Sequence, residues 1–378
     1  MQFLEQETAD SGIIVSRGGE VRFWHLTFQE HLAAQAIAGR MEAAQTALLL
    51  ESDKIYRPEW REVAVLLGGI LAVKQGKAKA DGLVSAILSR CGAKLAEQAR
   101  SAGLIGAMVR DLQPLQYEPK DPKYRAVMDA VLGIFGAVTS KGVDFAVRLE
   151  AAEALGQAGD PRIGNNWVRI EGGTFRMGER PGREVTVETF EIGRYPVTVA
   201  EYRVFVENEG YQNERWWKAG GFGGEAEPRQ WEEQKAHPNR PVAWVGWYEA
   251  SAYCAWAGVR LPREAEWERA ARGLNGREYP WGYEKPDAGR ANYLETGPRH
   301  PTPVGLYPAG ATPEGIQDLA GNVWEWVDDW YEEGMRGLRG GSWNSLATRL
   351  RAANRNGNVP GDWSYDTGFR VAREVSFR

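Results

Sequence analysis

The sequence predicts an α+β chain: an all-α N-terminal domain followed by a loop-rich domain of short strands with a few helices. Three observations predict it. Tryptophan divides the chain, with only Trp24 and Trp60 before residue 161 and the other 14 of the 16 from Trp167 onward. Fourteen of the 19 prolines lie beyond Pro161, among many glycines and short stretches of alternating apolar residues. Ahead of that point the chain is rich in Ala and Leu, with apolar residues at helical spacing.

Taken in order, helices are expected near 29–39, 58–73, 81–89, 93–110, 123–138 and 142–158. Pro58 suits a first helical turn, where a missing N–H costs nothing. Gly159-Asp160-Pro161 is a helix stop. The domain boundary is therefore placed near 160–166, giving domains 1–160 and 161–378, and a fragment from Trp167 is expected to fold alone. In the second domain the alternation over 185–192 reads as one strand. Helices are expected over Val199–Glu207, Trp247–Ala257 and 263–272, the last opening on Pro262-Arg263-Glu264 with an acid in its first turn. Residues 209–241 read as a long irregular loop. Most tryptophans read as core, because a loop-rich domain has little regular face to bury and each indole covers about 150–250 Å².

Composition narrows the function classes. With 43% hydrophobic and 26% charged residues the chain can build sizeable cores, which excludes disorder over most of its length. The net charge of −5 disfavours a nucleic-acid-coating role. No apolar run reaches the roughly 18 residues of a membrane span, and the N-terminus lacks a secretory pattern. Cys91 and Cys254 read as packed thiols in a reducing, cytoplasmic compartment.

In the helical half, Val147 to Gly156 followed by Gly159-Asp160 resembles a HEAT-type repeat helix, whose small residues let neighbours pack closely. The stretch from Arg22 to Ala34, with His25 and His31, resembles the segment downstream of the ATPase core in NACHT-type NTPases. No Gly-x-x-x-x-Gly-Lys-Ser/Thr occurs, so no nucleotide is expected to bind. The resemblance implies a role in signalling or partner contact, with a signalling NTPase or effector as partner.

The tryptophan-rich half carries more specific motifs. Tyr195-Pro196-Val197-Thr198, Arg260-Leu261-Pro262-Arg263-Glu264-Ala265-Glu266-Trp267, Gly321-Asn322-Val323-Trp324-Glu325-Trp326, Arg339-Gly340-Gly341-Ser342-Trp343 and Gly368-Phe369-Arg370 follow one another. In that order they resemble the formylglycine-generating enzyme family, a branch of the C-type lectin fold. The resemblance implies small twisted antiparallel sheets and much loop. It also places the family's two copper-binding cysteines at Ser345 and Leu350, neither of which supplies the soft thiolate that Cu(I) needs. An iron-dependent relative requires three closely spaced histidines, and His25, His31, His237 and His300 show no such spacing. No copper and no catalytic residue is therefore expected. A calcium site is implied at Asp318, Gly321, Val323 and Glu325, all hard oxygen donors through side chain or carbonyl. The residues alone equally allow that Asp318 and Glu325 only hydrogen-bond their turn.

Residues 344–366, inside a frame of about 339–373, resemble the variable region of variable proteins from diversity-generating retroelements, in which adenines of asparagine codons are mutated. Such codons cannot become Lys, Glu, Gln or Met. Those types total 68 of the 378 residues, so about four are expected among these 23 and none occurs. Trp363 lies outside what such a codon can yield. The resemblance implies that Asn344, Ser345, Leu346, Arg349, Leu350, Asn354, Asn356, Gly357, Asn358, Asp362, Trp363, Ser364, Tyr365 and Asp366 form a ligand-binding surface, with Arg339, Arg351 and Arg370 as scaffold. Aromatic residues among small polar ones suit adaptable recognition. The expected ligand is a protein or other macromolecule, with neither a membrane nor nucleic acid as partner. The competing readings are a fixed pseudo-enzyme that regulates an attached partner, or an active enzyme of this fold.

Overall fold

The computed structural model describes residues 14–17, 20–23, 26–164 and 166–375. His25 and Trp24 lie outside them. The chain divides into two compact units, Met1–Val131 and Leu132–Arg378.

In the first unit a two-stranded antiparallel sheet, β1 (Ile14–Arg17) and β2 (Glu20–Phe23), precedes six helices. These are α1 (Leu26–Ala38), α2 (Glu42–Leu50), α3 (Pro58–Gln75), α4 (Lys77–Arg90), α5 (Leu95–Asp111) and α6 (Pro122–Val131). Pro58 occupies the first turn of α3 as its missing donor allows. Leu67, Leu71, Ile87, Leu104 and Ile105 are buried along the helices they come from. Helix α2 has no counterpart among the expected helices, and the expected helix over 123–138 ends at Val131 before a 3-10 turn. Among the described residues no helix is long and apolar enough to cross a membrane.

The second unit opens with α7 (Phe145–Ala158), capped by the Asp144 carboxylate accepting the Ala146 N–H at 2.9 Å. The sequence boundary near residue 160 thus falls inside this unit. The reason is local: Glu153 accepts from Arg240 Nε at 2.6 Å and pairs with His237 at 2.9 Å, and Arg148 donates to the Leu306 carbonyl. Gly156 is required here, since a Cβ would sit 2.9 Å from Asn239 Cγ. Its small residues admit a loop rather than a neighbouring repeat helix.

Beyond it lie β3 (Trp167–Ile170), β4 (Gly173–Met177), β5 (Arg183–Val187), β6 (Phe190–Gly193), α8 (Val199–Glu207), α9 (Trp231–Lys235), α10 (Trp247–Ala257) and α11 (Glu264–Arg272). β7 (Trp324–Glu332), β8 (Met335–Arg339), β9 (Arg355–Asn358), β10 (Thr367–Phe369) and β11 (Ala372–Glu374) complete the chain. The strands form three sheets, ordered β10-β7-β8-β9, β11-β6-β3 and β4-β5. Pairing is antiparallel except between β10 and β7, which run parallel, a departure from the all-antiparallel expectation. The single strand expected over 185–192 is two strands in different sheets. The chain turns at Glu188 and Thr189, where Thr189 Oγ1 accepts the Gly172 N–H at 3.1 Å.

Tyr202, Phe205, Trp326 and Phe369 fill one core between α8, α10 and β7; Trp267, Phe190 and Val327 fill a second beneath α11. Between them runs a buried ionic seam. Arg370 donates to Glu325 at 2.6 and 2.7 Å, Trp267 Nε1 donates to the same carboxylate at 2.6 Å, and Arg339 donates to Glu268 at 2.6 Å. This seam holds the strands that flank residues 344–366.

Candidate ligand-binding face

Residues 344–366 leave β8 through Gly340 and Gly341, both at positive φ (92° and 76°). A Cβ on Gly340 would lie 2.9 Å from the Leu319 carbonyl, so the turn needs glycine there. The segment then makes a 3-10 turn at Ala347–Leu350, the edge strand β9, and a loop back to β10.

Twelve of the 14 candidate residues reach solvent wholly or in part. Asn344, Leu346, Arg349, Asn356, Asp362 and Tyr365 are exposed; Asn354, Gly357, Asn358, Trp363, Ser364 and Asp366 are half-buried. Ser345 and Leu350 are not surface residues. Ser345 Oγ accepts the Ser342 N–H at 3.0 Å, and Leu350 is fully sealed in a cluster with Tyr279, Tyr293 and Ala320. Gly357 is also constrained, because a Cβ would meet the Tyr331 ring at 2.5 Å. Asp366 accepts from Ser342 Oγ at 2.6 Å and from Ser364 Oγ at 2.7 Å, tying both ends of the segment together. Of the three arginines taken as scaffold, Arg339 and Arg370 are buried, while Arg351 is partly exposed and pairs with Glu179 at 3.1 Å.

The face gains a residue that sequence reasoning left in the core. Trp244 adopts φ +59°, a conformation bulky residues rarely take, at a cost of about 1–3 kcal/mol. Its N–H donates to the Ser364 carbonyl at 3.0 Å, and its ring lies 5.6 Å from Trp363 and 5.8 Å from Tyr365. Trp343 stacks on Tyr365 at 5.5 Å, Asn344 Nδ2 donates to the Tyr365 hydroxyl at 2.9 Å, and Arg229 covers Trp363 at 3.5 Å. The result is an aromatic wall beside a cavity of about 360 Å³, whose other side carries Glu233, His237, Arg240 and His300. No signal at the sequence level joined these residues. Trp244 is about 100 positions from Trp343, Glu233, His237 and Arg240 sit in what read as irregular loop, and His300 lies in a stretch with no assigned element.

Helix α10 supports the same loop: Gly246 and Trp247 open it, and the Trp247 N–H donates to the Pro360 carbonyl at 2.9 Å. Its cap is Glu249, which accepts the Gly246 N–H at 2.6 Å and the Tyr211 hydroxyl at 2.5 Å. Burial pushes its carboxyl up to about 7, the two hydrogen bonds pulling less strongly the other way. The folded chain thus keeps a proton that the unfolded chain releases above its ordinary value of about 4.3. Stability is full below that value and falls as pH rises towards 7, by up to about 3 kcal/mol. Glu249→Gln should flatten the urea midpoint between about pH 5 and pH 8. An unchanged slope in the variant would refute this origin.

The calcium donors do not fit a cation. Both oxygens of Glu325 are engaged by Arg370 and Trp267, so a positive charge already occupies that place. Asp318, at φ +57°, accepts the Gly305 N–H at 2.6 Å, and burial pushes its carboxyl up to about 6.

Comparison with known proteins places this second unit. Residues 156–375 match the sulfatase-modifying factor enzyme 1-like domain. The hercynine oxygenase of Mycolicibacterium smegmatis is 36% identical over 58% of this chain and 63% of its own length. The inactive C-alpha-formylglycine-generating enzyme 2 of Mus musculus is 35% identical over 58% of this chain and 87% of its own length. The chain spans about half to three-fifths of the hercynine oxygenases it matches. Variable protein 1 of Treponema denticola, a solved structure, superimposes with a TM-score of 0.43 at 23% identity, over 55% of this chain and 95% of that one.

Proposed function

The chain belongs to the sulfatase-modifying factor enzyme 1-like family, and from that premise we propose that it is a non-enzymatic binding protein whose surface at residues 344–366 is diversified by retroelement mutagenesis. The observation that carries this reading is the division within the segment. Twelve candidate side chains reach solvent, while Ala352, Ala353, Pro360 and Thr367 between and beside them are buried. A frame of this kind lets contact residues change without disturbing the core, as loops on a rigid scaffold do.

Chemistry supports the non-enzymatic part. At the places where the resemblance puts the copper-binding cysteines, Ser345 offers a hydroxyl bonded to Ser342 and Leu350 lies in apolar packing. Cys254 is buried, and burial pushes its thiol well above the ordinary range; Cys91 sits in the other unit. These residues do not fit a copper–thiolate centre. The helical unit is proposed to contact a signalling NTPase or effector in the cytoplasm.

The test is tolerance. A chain carrying Asn344→Ser, Arg349→Ser, Asn356→Ser and Asp362→Asn together should lose at most about 0.5 kcal/mol per site. Its Tm should therefore fall by no more than about 4–8 °C, at about 2–4 °C per kcal/mol for a domain of this size. Loss of the cooperative transition in circular dichroism would defeat the reading. A second reading, a fixed pseudo-enzyme that regulates a partner, is favoured by the inactive relative that the chain covers over 87% of its length. Sequencing separates the two: diversification requires changes concentrated at these codons among sister chains, beside a reverse transcriptase gene, whereas a fixed module shows none.

A further inference from the structure

The cavity beside Trp244 has a definite hydrogen-bonding polarity. Its volume of about 360 Å³ is that of a site for one side chain or small molecule. Two histidines line it, and each has its Nδ1 engaged behind the wall. His300 Nδ1 lies 2.8 Å from the Pro301 carbonyl oxygen. A carbonyl can only accept, so Nδ1 carries the hydrogen. His237 Nδ1 lies 2.9 Å from Glu153 Oε2. Burial alone would raise the Glu153 carboxyl, but the bonds from His237 and Arg240 outweigh it and hold it below the ordinary range. Glu153 is therefore an anion and an acceptor, and His237 Nδ1 also carries its hydrogen.

In the neutral His300 ring this leaves Nε2 with a bare lone pair. Among the described residues His300 Nε2 has no protein hydrogen-bond partner, and it is not a sealed, unpaired atom. Burial lowers His300, with Arg240 and His237 pushing the same way, which keeps its ring neutral at neutral pH. Arg240 also lines the cavity, but Glu153 neutralises it at 2.6 Å. Among the described residues, the lining also carries the exposed Glu233 carboxylate, which forms no ion pair. Trp244, Trp343 and Tyr365 also line the cavity. The His300 acceptor, one carboxylate and the aromatic lining together suit a cation bearing N–H donors, through charge-assisted hydrogen bonds and cation–π attraction. A carboxylate would meet a lone pair and a like charge.

We propose that this cavity receives the ammonium or guanidinium group of a lysine or arginine side chain on a protein ligand. The proposal rests on reading the adjoining face as a binding surface, yet it fails separately, because the tolerance experiment reads stability and this one reads small-cation binding.

The experiment titrates the full chain with n-butylammonium, butylguanidinium, butyrate and a capped Gly-Lys-Gly peptide, following indole N–H and histidine ring resonances. The two cations and the peptide should shift these signals, while butyrate should not. Glu233→Gln, an exposed and fold-neutral change, and His300→Phe should each weaken cation binding about tenfold. Equal binding of butyrate would overturn the proposal. So would indifference of the cations to Glu233→Gln, or to His300→Phe in a chain that still melts normally. Binding of butylammonium with exclusion of the peptide would overturn the assignment to a protein side chain.

Discussion

Replacing Arg370 by methionine should destabilise the second unit by about 3–5 kcal/mol, among the largest losses a single change can cause here. The guanidinium is fully buried and donates to both oxygens of Glu325, to the Gly193 carbonyl at 2.8 Å and to the Gln317 carbonyl at 3.0 Å. Methionine fills much of the volume but leaves Glu325 as an uncompensated charge at zero exposure, with only the Trp267 indole as donor. Most of the loss comes from that stranded charge rather than from missing contacts. The double variant Arg370→Met, Glu325→Gln should therefore recover a large part of it, since neutralising both partners is far cheaper than removing one. Urea unfolding of the single and double variants is the measurement. A double variant no better than the single one would show that the carbonyl contacts of Arg370 carry the effect instead.

Phe369→Ala should cost a similar amount, about 3–5 kcal/mol, through the cavity it leaves. The ring has no exposed surface and packs against Tyr253 at 5.4 Å and Tyr202 at 6.1 Å. It also sits at the end of β10, whose parallel pairing with β7 anchors the far side of residues 344–366. Trp343→Ala should cost clearly less. Its ring is half-buried and borders the cavity and Tyr365 rather than a sealed core. Thermal melts of the two variants decide the matter, and a larger loss for Trp343 would mean that the aromatic wall is structural.

Local signals were the reliable ones. α8 and α10 lie where the spacing placed them, and α8 opens on a capping box in which Thr198 and Glu201 bond each other's backbone. The strand over 185–192 misled because alternation continues across Glu188 and Thr189, with neither glycine nor proline to mark the turn between two sheets. Ser345 and Leu350 were misplaced on the face for a related reason. A segment read as a whole hides which of its residues point inward, and only the Ser342 bond and the Tyr279 cluster reveal it. Trp244, His237 and His300 were beyond reach, because their chemistry depends on contacts between distant stretches. Trp244 shows itself only through a backbone conformation that no residue pattern encodes.

Glu153 lies three residues ahead of the stretch that matches the family, on a helix the family match barely enters. It nevertheless dictates which nitrogen of His237 bears the hydrogen, on the far side of the cavity wall. A domain transplanted from residue 156 onward would keep every aromatic of the face and both histidines. It would lose the anion that holds the His237 hydrogen on Nδ1, and the freed ring could turn over and exchange the roles of its two nitrogens. Two grafts with identical lining residues could thus differ in hydrogen-bonding sense, so this helix belongs with the domain wherever such domains are recombined.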